Sequence, residues 1–441
     1  MLVTEINGAL FNHALLPKEL AKAQNEDLKY AAAFIKVLGR AYARCIEIDD
    51  AEAWSHLQRL ILKRQASVLF SILRVARRLP FEKRLTLEQS LSLAPTLELG
   101  APSDEIVHVW PEPKKSGGSR AVCTFGPINR AKHDLVVRAM APHFKPREFQ
   151  YSKKGIQSAI AKAKEFGASG YVYAARLDIG DFFGSFTLEK LAPALPLHQE
   201  VVEYAVMGQH LKLAVSNKGH GHQPLSLTAP LQVHLLHIAS RGIPTGAASS
   251  AIIALFIVSL LAWSPSAAAK LLNWADDFLI FALTPEDLEK EIEKLVSAVA
   301  ELPGGHFKLK LLQKAPLSKG ITFLGHDLQL VDGALQTKVA VHAYEGIIKR
   351  LHELDTHPAL NPLPGKKTDP KKALRLLANM LAYAVGWRHA FSQCDNVEEW
   401  FEFLHERIQE SAKVIGFTMT EVENATDAGM KYEPDLYTLG K

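Results

Sequence analysis

Asp276 and Asp277 stand side by side between Leu271-Leu272 and Phe278-Leu279-Ile280-Phe281. Neighbouring carboxylates repel each other, and burial penalises each charge further. A strand–turn–strand carrying both acids in apolar surroundings therefore calls for a compensating cation. Upstream, Leu177-Asp178-Ile179-Gly180-Asp181-Phe182-Phe183 offers a third acid, Asp178, at the end of another apolar run. Three carboxylates sharing two divalent cations ~3.5–4 Å apart form the usual apparatus for in-line phosphoryl displacement. Mg²⁺ suits such a set because it demands hard oxygen ligands in near-octahedral geometry.

At 441 residues the chain exceeds one ordinary core, so two or three subdomains are expected. Its 48% hydrophobic and 22% charged content describes a folded, soluble protein rather than a disordered one. Cys45, Cys123 and Cys394 are odd in number and far apart, which excludes a disulfide framework and points to a reducing, cytoplasmic compartment. The opening Met-Leu-Val-Thr-Glu-Ile-Asn lacks the basic-then-apolar pattern of a secretory signal. The net charge is only +4, yet Lys114 to Lys154 holds ten Lys/Arg against Asp134 and Glu148, a local net of +8. A second basic stretch, Arg59 to Arg84, includes Lys63, Arg64, Arg74, Arg77, Arg78 and Lys83 against Glu82. Bias of this size fits a polyanion partner better than ordinary solvated helix faces.

No charge occurs between Arg241 and Lys270. Length alone would let this stretch cross a membrane. Its Ala, Ser and Gly content and its place between two motifs predict a buried helix instead, and no membrane partner.

Residues 1–100 read as a helical extension, with apolar positions at helical spacing through Leu57, Leu60, Ile61, Val68, Leu69, Ile72, Leu73 and Val75. Lys115-Ser116-Gly117-Gly118-Ser119 reads as a hairpin loop between strands Val107–Trp110 and Ala121–Phe125. A helix around Asn129–Ala141 and a strand Tyr171–Leu177 follow. The stretch from Thr187 to Ser240 carries two histidine-rich pieces, Lys218-Gly219-His220-Gly221-His222 and His234/His237, which lack zinc-type spacing and read as loop with incidental histidines rather than as a metal site. A helix over Pro285–Leu302 has Thr284 as N-cap and Pro303-Gly304-Gly305 as its stop. A strand Ile321–Leu330 is next, then helices over Lys371–His389 and Val397–Ile415, and a loosely ordered tail after Thr418.

In order, these motifs resemble those of reverse transcriptases of the bacterial, retroelement-like kind, from about Val107 to Leu328 and more weakly to Trp387. Pro113-Lys114-Lys115-Ser116-Gly117-Gly118-Ser119-Arg120 resembles the fingers hairpin that grips an incoming triphosphate. Phe149–Ile160 is similar to the segment that follows the fingers. Leu177–Phe183 resembles motif A, Arg241-Gly242-Ile243-Pro244-Thr245-Gly246 motif B, and Trp274-Ala275-Asp276-Asp277 motif C. Lys308–Lys314 looks like motif D and Phe323-Leu324-Gly325 like the primer grip. The chain departs from the family at Thr245, where glutamine is usual, and at Trp274, where tyrosine is usual.

The resemblance implies an α+β, right-hand polymerase: a helical extension (1–100), fingers and an antiparallel palm (101–330), and a helical thumb and tail (331–441). It implies an RNA-directed DNA polymerase holding two Mg²⁺ ions, with Mn²⁺ able to substitute, on Asp178, Asp276, Asp277 and the Ile179 carbonyl. Lys314 is the candidate proton donor, with Lys310 competing. Nucleotide contacts are implied for Lys114, Lys115, Arg120, Asp181, Phe183, Thr245 and Gly246, and nucleic-acid contacts for Phe323 and Gly325. Arg64, Arg77, Arg78, Lys153 and Lys154, the basic residues, add further candidate nucleic-acid contacts. Phe183 would sit as the steric gate against a ribose 2′-hydroxyl, whereas a core role stays open for Phe182. Little chain remains after the thumb for an RNase H domain. The stripped-down plan is similar to defence-associated and abortive-infection reverse transcriptases, which act with a dedicated structured non-coding RNA or make DNA in unusual ways. Retron and group II intron enzymes are the near alternative, and a non-catalytic RNA-binding protein of the same fold is the alternative of another class. Partners are then an RNA template, a DNA product and dNTPs, with a homo-oligomer left open.

Overall fold

The computed structural model describes Ala33, residues 37–38, 40–45, 47–48, 50–63, Val68, Ser71, Leu85, and residues 87–114, 118–216, 227–264, 266–361 and 369–432. Arg64, Arg77, Arg78, Lys115, His220 and His222 lie outside the described residues. The described residues mix helices with ten strands: β1 (Ile106–Pro113), β2 (Ser119–Thr124), β3 (Tyr173–Ile179), β4 (Lys212–Val215), β5 (Ala269–Trp274), β6 (Asp277–Ala282), β7 (Leu309–Pro316), β8 (Ile321–Phe323), β9 (His326–Val331) and β10 (Ala334–Val339). Packing divides the chain into two compact units. One takes in residues 1–147, 180–262 and 298–308, and the other 148–179, 263–297 and 309–441.

In the first unit, β1 alternates exposed and buried residues through Ile106, Val107, His108 and Val109, the period of a strand with one covered face. It pairs antiparallel with β2 and parallel with β4. Val107, Val109, Ala121, Cys123, Leu235 and Ala239 close a small core beneath this sheet. On the helix Ala51–Lys63 the expected apolar stripe buries Leu57 and Ile61 fully, while its Leu69, Ile72, Leu73 and Val75 lie outside the described residues. The helix Pro127–Met140 is buried nearly all round, and its Arg138 and Asp134 pair at 2.6 Å one turn apart. Its N-terminus is capped from a distance: Glu105 accepts from the Ile128 and Asn129 N–H groups, both at 2.9 Å, meeting two donors that no earlier turn can satisfy. The uncharged stretch forms the helix Ala248–Ser259, mostly buried. Among the described residues no helix is long and apolar enough to cross a membrane.

The second unit is built on a four-stranded, wholly antiparallel sheet in the order β5-β6-β3-β7. Beside it lies a three-stranded meander, β8-β9-β10. The helix Ile156–Ala168 packs its Ala159, Ile160 and Ala163 into the shared core with Leu272, Leu279, Phe281 and Phe323. A second core joins the helices Glu345–Thr356, Pro370–Ala390 and Val397–Ile415 through Ile347, Leu377, Met380, Trp387, Leu404 and Ile408.

Three sequence expectations need correction. His234 and His237 do not stand on a loop: both lie on the helix Ala229–Ser240, which follows the helices Leu188–Leu191 and Gln199–Ala205 and β4. The single strand over Ile321–Leu330 is two strands, because Leu324 and Gly325 both take positive φ (50° and 78°), the pair that a tight type I′ hairpin requires. The segment after Thr418 is a helix, Met419–Tyr432, with Thr418 Oγ1 accepting from the Glu421 N–H at 3.3 Å. Val422, fully buried in the helical core, and the contact of this helix with Pro370–Ala390 supply the apolar burial that its polar sequence conceals.

Candidate active site

The acids lie at one end of the antiparallel sheet. Asp178, next to last in β3, sits directly across from Asp277, first in β6. Asp276 occupies the turn between β5 and β6, and its carbonyl accepts from the Ile179 N–H at 3.1 Å. Thus the chain brings Asp178, Ile179, Asp276 and Asp277 together by strand register alone. The turn is two residues long, because Trp274 pairs with Asp277. Ala275 takes φ 54° there, a conformation that costs an L-residue about 1 kcal/mol or more and that tight hairpins impose at this position.

That strain is held by hydrogen bonds. The Ala275 N–H donates to Ser152 Oγ at 2.8 Å, and the fully buried Asn273 donates through Nδ2 to the carbonyls of Ala275 (2.9 Å) and Asp277 (3.2 Å). Asn273 is clamped in turn, its N–H to the Phe149 carbonyl at 2.8 Å and its carbonyl to the Tyr151 N–H at 2.9 Å. A backbone strap, Phe149 to Ser152, therefore fixes the acid-bearing turn.

Electrostatically the site is acid-rich. Burial, then Asp276 and Asp277, push Asp178 up to about 7, against the opposing pull of Arg176 and Lys310. Burial also raises Asp277, while Arg176 draws it back down. Arg176 grips Asp277 with both prongs of its guanidinium, Nε to Oδ1 at 3.0 Å and Nη2 to Oδ2 at 3.2 Å. The donor chemistry of Asp178 and Asp276 fits a hard divalent cation, which would relieve the repulsion that Asp178 registers. Asp277 is committed to Arg176 as it stands, and no three His, Cys, Asp or Glu side chains converge in a ligating arrangement among the described residues.

Of the two candidate lysines, Lys314 pairs across from Ala175 and forms an ion pair with Glu289, whereas Lys310 lies directly across from Asp178. A bulge between Arg176 and Leu177 in the β3–β7 pairing brings Lys310, rather than Leu311, opposite Asp178. Phe323 is corrected as a nucleic-acid contact, since its ring is fully buried in the core beside Phe281 and Tyr171. Gly325 has Phe391 close behind it, at 3.2 Å from where a Cβ would stand. Lys154 lies over the Tyr151 ring at 4.5 Å and donates to the Glu148 carbonyl at 3.2 Å, and burial lowers Lys153 to about 8.

The remaining candidates belong to the first unit. Phe182 is core, its ring 5.2 Å from both Phe186 and Phe307, while Phe183 is half-buried. The Phe183 carbonyl accepts from the Ile243 N–H at 3.0 Å. Gly242 (φ 57°) makes this approach feasible, because a Cβ there would meet the Phe183 oxygen at 2.0 Å. Arg241 reaches Asp181 Oδ2 at 3.3 Å and the Gly184 carbonyl at 3.4 Å. The Thr245 carbonyl accepts from the Cys123 N–H at 2.9 Å, and Gly246 (φ 99°) leaves no room for a Cβ, which would come within 2.4 Å of the Cys123 oxygen. The motif A and motif B segments are thus tied together, and motif B is tied to β2. On the β1–β2 hairpin Lys114 is exposed and Arg120 pairs across the strands with Glu112 at 3.4 Å.

Sequence reasoning passed over Arg176, Ser152 and Asn273. Arg176 had a signal, since it falls two residues before Asp178 and so on the same strand face. Asn273 had one too, as the polar residue within Leu271-Leu272-Asn273-Trp274. Ser152 had none, because its role depends on a contact distant in sequence.

No family model and no curated protein matches the chain. Among solved structures it is similar to telomerase from Candida albicans in complex with a TWJ fragment of telomeric RNA, at 12% identity, covering 74% of this chain and 65% of that one, with a TM-score of 0.31. It is also similar to the RNA-dependent RNA polymerase of a human picobirnavirus, at 11% identity, 76% and 63% coverage and a TM-score of 0.42. The chain spans a little under two thirds of the length of each. Likeness at this level leaves the functional reading to the residues themselves.

Proposed function

We propose that the chain is a template-directed nucleotidyltransferase, an RNA-directed DNA polymerase that extends a primer with deoxynucleotides. The observation that carries this reading is the register: Asp178 faces Asp277 across two antiparallel strands, with Asp276 in the adjoining two-residue turn. The reaction is attack of a primer 3′-hydroxyl on the α-phosphate of a dNTP, which displaces pyrophosphate. Asp178 and Asp276 would hold Mg²⁺ ions, with Asp277 joining them, and Mn²⁺ would serve in their place. Bound there, such ions lower the pKa of the attacking hydroxyl and neutralise charge on the leaving group.

This chain's own residues supply the rest. Lys310, across from Asp178, takes the place of Lys314 as donor of a proton to the departing pyrophosphate. Ser152 and Asn273 keep the acid turn in its strained form, so the backbone that carries Asp276 and Asp277 is already in place. Phe183, pinned through its carbonyl, offers a ribose 2′-hydroxyl a bulky ring and no partner, which selects deoxynucleotides. Lys114, Lys115, Arg120, Asp181, Thr245 and Gly246 are the further nucleotide contacts. The basic stretches with Arg64, Arg77, Arg78, Lys153 and Lys154 track the nucleic-acid backbone. A dedicated structured RNA and a part in antiphage defence remain within this proposal, in a cytoplasmic setting.

The test is incorporation of labelled dNTP by the purified protein with Mg²⁺, with and without the RNA that copurifies. Incorporation that is lost on RNase treatment supports the reading. No incorporation on any primer–template, together with no retained RNA at low salt, rejects it.

A further inference from the structure

We propose that Arg176 is a positioning residue, a fixed counter-cation that holds Asp277 in a two-point ion pair from which a divalent ion must compete it away. The inference rests on reading the three acids as a metal-ligating set, and it adds a residue that the acid motifs do not contain.

Both Asp277 oxygens are in use: Arg176 Nε donates to Oδ1 at 3.0 Å and Nη2 to Oδ2 at 3.2 Å. A planar guanidinium matching a carboxylate prong for prong is the strongest side-chain ion pair available to a protein. Arg176 is braced from behind. Its Nη1 faces the Thr322 carbonyl at 3.5 Å, and Thr322 is fixed by its N–H to Gln313 Oε1 (3.1 Å) and its hydroxyl to Asp327 Oδ1 (2.6 Å). The pair is largely covered, with only 26% and 20% of the side-chain surfaces exposed, so water screens it incompletely. Arg176 neutralises one of three negative charges at the sheet end, which lets the metal-free hairpin keep its acids in place. In this arrangement Asp178 and Asp276 take the first ion, and Asp277 joins only when Arg176 lets go.

The experiment measures Mn²⁺ binding by electron paramagnetic resonance on the full chain, stripped of metal and free of nucleotide. Wild type, Asp178→Asn, Arg176→Gln and Arg176→Lys are compared. Removing the competing charge in Arg176→Gln is predicted to tighten Mn²⁺ binding about tenfold. Equal or weaker binding overturns the proposal. A purely structural arginine would lower stability on substitution and leave the affinity where it was. Should Arg176→Gln fail to fold, Arg176→Lys keeps the charge but loses the fork. It is predicted to bind Mn²⁺ at least as tightly as wild type, and weaker binding again overturns the proposal. Asp178→Asn separates the two readings: if it binds Mn²⁺ as wild type does, the metal-ligating reading of the acids fails, whatever Arg176 does.

Discussion

Replacing Asp178 by Asn should stabilise the metal-free protein at alkaline pH and do nothing for it in acid. Burial and the two neighbouring acids raise Asp178 from the ordinary 3.8 to about 7. Between those values the folded state keeps a proton that the unfolded chain has released, so stability falls as pH rises through this window and levels off above 7. The gap corresponds to about 4 kcal/mol. Because Asp178 is only half-buried, solvent screening reduces this to about 2 kcal/mol. Asparagine keeps the shape and removes the charge. Urea unfolding in EDTA, at pH values below 4 and above 8, compares the two proteins. The expected result is Asp178→Asn more stable by about 2 kcal/mol above pH 8 and equal below pH 4. Loss of stability in the variant above pH 8, or the same difference in acid, would refute the electrostatic argument.

Other consequences are simpler. Gly242→Ala combines φ 57° with a Cβ 2.0 Å from the Phe183 oxygen, so it should cost about 2–3 kcal/mol in thermal or urea unfolding. Ala275→Gly relieves the φ 54° strain of the acid turn and should gain about 1 kcal/mol by the same measurement. Phe183→Ala should lower discrimination against ribonucleotides by about a hundredfold while dNTP incorporation persists, read from paired dNTP and NTP kinetics.

The parts of the fold legible in the sequence were those set by local pattern. Thr284 does receive the Asp287 N–H, at 3.1 Å, and the helix Val397–Ile415 has the bounds its apolar stripe marks. The acid-bearing hairpin was legible because Ala275-Asp276 joins two runs of strand-forming residues. Misreadings arose where a long-range contact decides. Leu324 and Gly325 form a turn inside an apolar run, and β4 is a strand because β1 offers it a parallel edge. The helix Met419–Tyr432 owes its burial to the helices it packs on. At the site, the gathering of Asp178, Asp276 and Asp277 at one sheet end was legible from residue type and order, but the place of Lys310 across from Asp178 depends on a bulge in the β3–β7 pairing. Arg176 and Ser152 become meaningful only once Asp277 and Ala275 are seen beside them.

The central claim is that Asp178 and Asp276 serve one phosphoryl-transfer centre. Primer extension with labelled dNTP and Mg²⁺, run on wild type, Asp178→Asn and Asp276→Asn that fold normally by circular dichroism, tests it most directly. The account predicts extension by wild type and a loss of at least about a thousandfold in each variant, on the scale of removing a group that stabilises transition-state charge. Extension by either variant at the wild-type rate would contradict it.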